Sequence, residues 1–97
     1  MLFVLLYWDK PGRFALRQQT RPAHLAYIKA HERQVRHGGP LLDDAGQPIG
    51  SLLVIEAPDR AAAEAFAAND PYVQAGLFES MVIRATRIVV KDGAWLE

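Results

Sequence analysis

The sequence predicts an α+β fold of ferredoxin-like βαββαβ order: a four-stranded antiparallel sheet with two helices on one face. Three observations lead there. Two runs, Leu2–Trp8 and Ser51–Glu56, are rich in β-formers and apolar without polar alternation, as strands covered on both faces read. Each is followed by turn residues and then by a helix-forming stretch, Pro22 to about His37 and Ala61–Ala68. A short apolar pair, Leu41-Leu42, and a long run, Phe78–Val90, supply the remaining strands. Strand, helix, strand, strand, helix, strand is the split βαβ pattern, and right-handed crossovers put both helices on the same side of the sheet.

Taken in order, Asp9-Lys10-Pro11-Gly12 ends the first strand as a turn cluster. Arg13–Gln19 is polar and reads as a loop or a single helical turn, and Pro22 suits a first helical position, where its missing N–H costs nothing. Leu25, Ile28 and Val35 then share one side of the first helix, and Gly38-Gly39-Pro40 stops it. Asp43-Asp44-Ala45-Gly46-Gln47-Pro48 concentrates turn residues and predicts a hairpin loop. Asp59 is placed to cap the alanine-rich second helix, whose helix propensity is the highest in the chain. Asp70-Pro71-Tyr72-Val73-Gln74-Ala75-Gly76 follows as a short helix with its own cap, start and stop. In Phe78–Val90 the inward set changes parity, from Met81, Ile83 and Ala85 to Ile88 and Val90, which predicts a bulge near Thr86. The tail, Lys91–Glu97, carries a Gly and a Trp and reads as a segment that reaches a partner subunit.

The whole chain reads as one domain, residues 1–97. A chain of this size buries roughly 60–65% of its unfolded surface, yet 51% of its residues are hydrophobic. With both helices on one side, the other sheet face is left apolar and uncovered, a patch larger than monomers ordinarily expose. A homodimer packed through the open sheet face follows. Eleven basic and eleven acidic residues balance, so no long-range attraction for a phosphate backbone exists and nucleic acid is not an expected partner. The first strand is too short to span a membrane and lacks the layout of a signal peptide. The chain has no cysteine, which removes disulfides, thiolate nucleophiles and cysteine metal sites and suits a cytoplasmic location.

The chemistry-bearing residues are few. Asp70 reads locally as a helix cap. His24 and His31 are seven apart and so lie two turns apart on one helix face, ~10 Å along the axis, farther than the i, i+4 spacing of zinc helices. A metal site would need His24, His31 and Asp70 together, and none is expected. His37, at the expected helix C-terminus, favours the helix dipole. His24 on its own reads as a partly buried histidine bonded to backbone. Ser51 has no nucleophile-elbow motif around it and reads as a strand residue or hydrogen-bond donor.

Four segments extend that reading: Thr20-Arg21-Pro22-Ala23-His24-Leu25; Gly38-Gly39-Pro40-Leu41-Leu42; Gly50-Ser51-Leu52-Leu53; and Asn69-Asp70-Pro71-Tyr72-Val73-Gln74-Ala75-Gly76-Leu77-Phe78-Glu79. In residues, order and spacing they resemble the YciI-like (YCII-related) family, over Leu2 to about Arg87. The chain departs after Arg84, where Ala85-Thr86-Arg87 lacks the aromatic often found there, and it extends through Trp95. The resemblance implies a ferredoxin-like subunit in a dimeric α+β barrel and an active-site His–Asp pair, which by position is His24 and Asp70. It implies pocket roles for Ser51 and Tyr72, and a link in some relatives to breakdown of chlorinated aromatic compounds.

A carboxylate occupied by cap N–H donors is a poor base. Proton transfer therefore falls to His24, and Asp70 orients the imidazole and stabilises its cation. With no metal, thiol or activated hydroxyl, the expected activity is that of a cofactor-independent lyase or isomerase acting on a small substrate by general acid–base chemistry. The resemblance to relatives linked to chlorinated aromatic compounds adds aromatic rings to the candidate substrates. Trp8, Tyr27 and Tyr72 are expected on the pocket walls. The competing expectation is a non-catalytic module that binds a small ligand or serves another enzyme.

Overall fold

The computed structural model describes residues 1–97. Strands β1 (Leu2–Asp9), β2 (Val35–Leu42), β3 (Pro48–Glu56) and β4 (Phe78–Thr86) form one antiparallel sheet in the order β2-β3-β1-β4. Helix α1 (Phe14–Ala30) connects β1 to β2, and α2 (Arg60–Ala68) with the single-turn α3 (Pro71–Gln74) connects β3 to β4. The expected ferredoxin-like fold is the one formed. No helix is long and apolar enough to cross a membrane.

Alternation along the central strands divides the sheet into two faces. Phe3, Leu5 and Tyr7 of β1, Leu53 and Ile55 of β3, and Ile83 of β4 form the core with Ala63, Phe66 and Ala67 of α2. The alternate residues, Leu2, Val4 and Leu6 with Leu52, Val54 and Val82 across the ladder, lie on the opposite face and are half-buried. Asp59 caps α2 as expected, its carboxylate accepting the Ala62 N–H at 2.8 Å.

Three boundaries differ from the sequence reading. Helix α1 begins at Phe14 and carries Pro22 inside it. Pro22 has no N–H to give the Gln18 carbonyl, yet the helix continues through it, so His24 sits mid-helix rather than in a first turn. The helix ends at Ala30, and Val35–Leu42, with Gly38-Gly39-Pro40 in its middle, is a strand. It lies at the sheet edge, where a proline is tolerated, and His37 belongs to it rather than to a helix C-terminus. Strand β4 ends at Thr86, and its register break falls at its start, opposite Trp8 and Asp9. The tail pairs with itself: β5 (Val90–Lys91) and β6 (Ala94–Trp95) form a small hairpin across Asp92-Gly93, both with positive φ, 51° and 77°. That is the signature of a two-residue type I′ turn.

Candidate active site

The site is built where α1 crosses α3 above β1 and β3. Asp70 precedes α3 with extended backbone (φ −66°, ψ 127°), and its Oδ1 accepts the Tyr72 N–H at 2.9 Å. Pro71 fills the first helical position and fixes φ near the helical value. The helix ends in a Schellman motif: Leu77 N–H donates to the Tyr72 carbonyl and Gly76 N–H to the Val73 carbonyl, with Gly76 at φ 73°. One turn of chain, closed at both ends, thus holds a carboxylate in a fully buried position (0% exposed).

That carboxylate meets His24. The His24 Nδ1 to Asp70 Oδ1 distance is 2.8 Å, and His24 is 8% exposed. An ionised Asp70 only accepts, so Nδ1 carries the proton and donates it to Oδ1. The lone pair is then on Nε2, which makes no hydrogen bond within the protein. The His24 ring stacks on Tyr72, with ring centroids 4.1 Å apart and planes 19° apart. Burial pushes the Tyr72 hydroxyl above the ordinary phenol range, while Arg17 and Arg21 act in the opposite direction.

Arg17 continues the chain of contacts. Its guanidinium carbon lies 4.7 Å from the Tyr72 ring centroid, within cation–π range. Its Nε donates to Asp9 Oδ2 at 2.7 Å, and its Nη2 donates to Asp9 Oδ1 at 3.0 Å and to Ser51 Oγ at 2.9 Å. The two-point pairing fixes the plane of the guanidinium; Arg17 is buried and Asp9 partly so. Asp9, Arg17, Tyr72, His24 and Asp70 therefore form one continuous, mutually oriented set.

A cleft of about 540 Å3 opens over this set, within the size range of small-molecule sites. His24, Tyr72, Arg17 and Ser51 line its inner end. Gly38, Gly39 and Pro40 of the edge strand line its outer wall. Gly38 leaves no space for a side chain on the core side, because Leu53 fills it.

Of the expected site residues, His24, Asp70, Ser51 and Tyr72 are brought together. Trp8 and Tyr27 do not line the cleft. Trp8 alternates with Tyr7 onto the open sheet face, and the Tyr27 hydroxyl donates to the Phe66 carbonyl at 2.8 Å. His31 Nδ1 lies 2.8 Å from the Tyr27 carbonyl oxygen. No three histidine or carboxylate side chains are placed to hold one metal ion. Arg17 and Asp9 were missed from sequence because Asp9 reads as a turn residue and Arg17 as part of a polar loop. The available signal was the 17, 21, 24, 28 spacing of one helix face.

Comparison with known proteins shows the family and the fold. The family model of the YCII-related domain matches residues 1–87. Protein YciI of Escherichia coli O6:H1 is 34% identical over 92 residues, covering 87% of this chain and 94% of the relative. An uncharacterized protein of Haemophilus influenzae is 30% identical over the same length and coverage. Among solved structures, 5-chloro-2-hydroxyhydroquinone dehydrochlorinase (TftG) from Burkholderia phenoliruptrix, in complex with 2,5-dihydroxybenzoquinone, is 33% identical. It superposes with a TM-score of 0.83 over 90% of this chain and 94% of that one. An antibiotic biosynthesis monooxygenase at 15% identity and TM-score 0.51, over 91% of this chain and 100% of that one, shares the fold. The match of one family model across nearly the whole chain, with relatives above 30% identity over most of both lengths, shows that the chain belongs to the YCII-related family.

Proposed function

We propose that this protein is a cofactor-independent lyase or isomerase acting on a small aromatic substrate, with His24 as the proton-transfer residue and Asp70 as its orienting partner. The observation that carries this reading is the buried 2.8 Å contact between His24 Nδ1 and Asp70 Oδ1 beneath an open cleft. Asp70 fixes the tautomer and the ring plane, as does the stacked Tyr72, and the free Nε2 belongs to a residue that lines the cleft. In the forward step Nε2 takes a proton from an acidic C–H or O–H of the substrate. On an aromatic ring the imidazolium first returns that proton to the ring carbon that bears the leaving group, making it tetrahedral. Loss of a second hydroxyl proton then forms a C=O as the leaving group departs with its electron pair; the first two transfers alone are an isomerisation. Asp70 balances the positive charge on the imidazolium meanwhile. TftG, similar in structure at 33% identity, is by its name a dehydrochlorinase of a chlorinated hydroxyhydroquinone, and elimination from such a ring is chemistry this arrangement can perform.

The test uses 5-chloro-2-hydroxyhydroquinone and related halogenated hydroquinones, followed by halide release. His24→Ala should lower turnover by ~10²–10⁴-fold, the usual worth of a positioned general base. Asp70→Asn, which keeps the shape and can still cap α3, should lower it while the protein stays folded. Turnover that survives His24→Ala would overturn the assignment. Ligand binding that survives it, with no turnover in the parent protein, would instead favour a non-catalytic small-ligand module. We also propose that a second copy of the chain covers the apolar sheet face.

A further inference from the structure

The cleft carries a charge imbalance that the proton-transfer chemistry does not use. Its lining includes Arg17, Arg21, Arg36, His24 and His37, and no carboxylate. Most of these charges are engaged elsewhere. Arg17 is bound to Asp9 at 2.7 and 3.0 Å. His24 faces Asp70. Arg36 lies 3.8 Å from Glu56, whose other carboxylate oxygen takes the N-terminal ammonium at 3.1 Å. Arg21 and His37 are the exceptions: both are exposed, line the cleft, and have no hydrogen-bond or ion-pair partner in the molecule. Arg21 is the permanent cation of the two and the one that shares α1 with His24.

Arg21 precedes His24 by three residues on α1, so the two share a helix face about 4.5 Å apart along the axis. Both line the same cleft as Tyr72, whose ring stacks on the His24 imidazole. Burial raises the Tyr72 hydroxyl, and after Arg17 the Arg21 charge opposes that rise. A single aromatic ring can thus meet Nε2 on one side and the Arg21 guanidinium on another. A neutral ligand would offer this solvent-exposed cation no counter-charge, and no carboxylate of the lining supplies one. A ligand with an ionised oxygen would match it, through charge-assisted and often two-point hydrogen bonds.

We propose that the ligand of this cleft is a small organic anion and that Arg21 holds its negative group one helical turn from His24. This rests on the reading of the cleft as the substrate site. It adds the substrate's charge and a specificity-determining residue outside the His24–Asp70 pair. Two kinds of oxyanion share the required chemistry, an ionised enol or phenol and a carboxylate.

The experiment compares matched pairs by calorimetric titration. 2,5-Dihydroxybenzoquinone, ionised at neutral pH, is set against its neutral dimethoxy ether, and benzoate against benzamide. The anionic member of at least one pair should bind about tenfold or more tightly, the usual scale for a hydrogen bond to a charged group. That preference should shrink as ionic strength rises. Arg21→Gln should abolish the preference, Arg21→Lys should restore part of it, and His24→Ala should retain it. Which pair responds identifies the oxyanion. Equal binding of charged and neutral members, or a preference that persists in Arg21→Gln, overturns the assignment of Arg21 and leaves the cleft reading standing. Failure of all four probes to bind overturns both.

Discussion

Two buried polar atoms of this protein make no hydrogen bond: the Tyr7 hydroxyl and Asp70 Oδ2. Tyr7 is fully buried on the core face of β1, and burial, then the Asp70 charge, then Tyr27, push its phenol far above the ordinary value. The consequences are separable. At neutral pH, Tyr7→Phe removes an unpaired buried hydroxyl and little volume, so stability should be unchanged or rise by up to about 1 kcal/mol. A loss of more than that in denaturant titration would mean the hydroxyl is engaged. At high pH the sign is fixed by linkage. The folded phenol keeps its proton where the unfolded one, titrating near ~10, has lost it, so the folded state binds more protons and stability falls as pH rises past that value. The contribution is complete below the unfolded value and lost on the way up to the folded one. Tyr7→Phe should therefore flatten the alkaline loss of stability, without removing it, because Tyr27 and Tyr72 are raised as well. At this scale the sequence was readable where a residue does local work. Asp70 as a cap follows from Asp-Pro and three helical residues. Arg17 was not readable, because its meaning lies in Asp9, Ser51 and Tyr72, residues distant in the chain.

Elements show the same division. Helix α3 has only four residues, too few to be stable alone, and depends on its two ends. Gly76 tests this cleanly. An added Cβ would meet only the Lys10 Nζ at 3.8 Å, so nothing crowds it, but the residue sits at φ 73°. Gly76→Ala should cost ~1–2 kcal/mol through backbone conformation alone, read as a fall in thermal midpoint. A much larger share of the damage should appear in ligand affinity, since the turn aims Asp70 at His24. An unchanged midpoint would remove the Schellman motif from the account. The first half of α1 escaped the sequence reading for a related reason. Its inward face carries Arg17, Thr20 and His24 rather than Leu or Val, because that face borders a cleft, and apolar periodicity is silent there. Strand β2 was hidden by Gly38-Gly39-Pro40, residues that mark a stop in most contexts but here form an edge and leave a cleft open beside it. The Asp92-Gly93 turn, by contrast, was a hairpin signal available in the sequence.

For the whole molecule, the two sheet faces decide the assembly. One is covered by α1 and α2. On the other, Val4 pairs with Val54, and Leu6 with Leu52 and Val82, an apolar surface at the centre of the sheet. Trp8, 39% exposed, extends it. The order of strands and helices made this face foreseeable, since right-handed crossovers can place helices only on one side. What order alone could not supply is where the 540 Å3 cleft opens, since it depends on α1 beginning eight residues earlier than Pro22. The proposed dimer buries the open face and leaves the cleft, on the helix side, accessible in each copy. Val54→Lys places a charge in the middle of that face while sparing every cleft residue. In sedimentation equilibrium the unaltered chain should run at twice 10.8 kDa and the variant at the single mass. The lysine stem lies along apolar surface with its ammonium in water, so the variant subunit should remain folded by circular dichroism. A single-mass species for the unaltered chain at micromolar concentration would sink the face-to-face dimer. A folded Val54→Lys monomer that still binds ligand would show that one subunit holds the complete site.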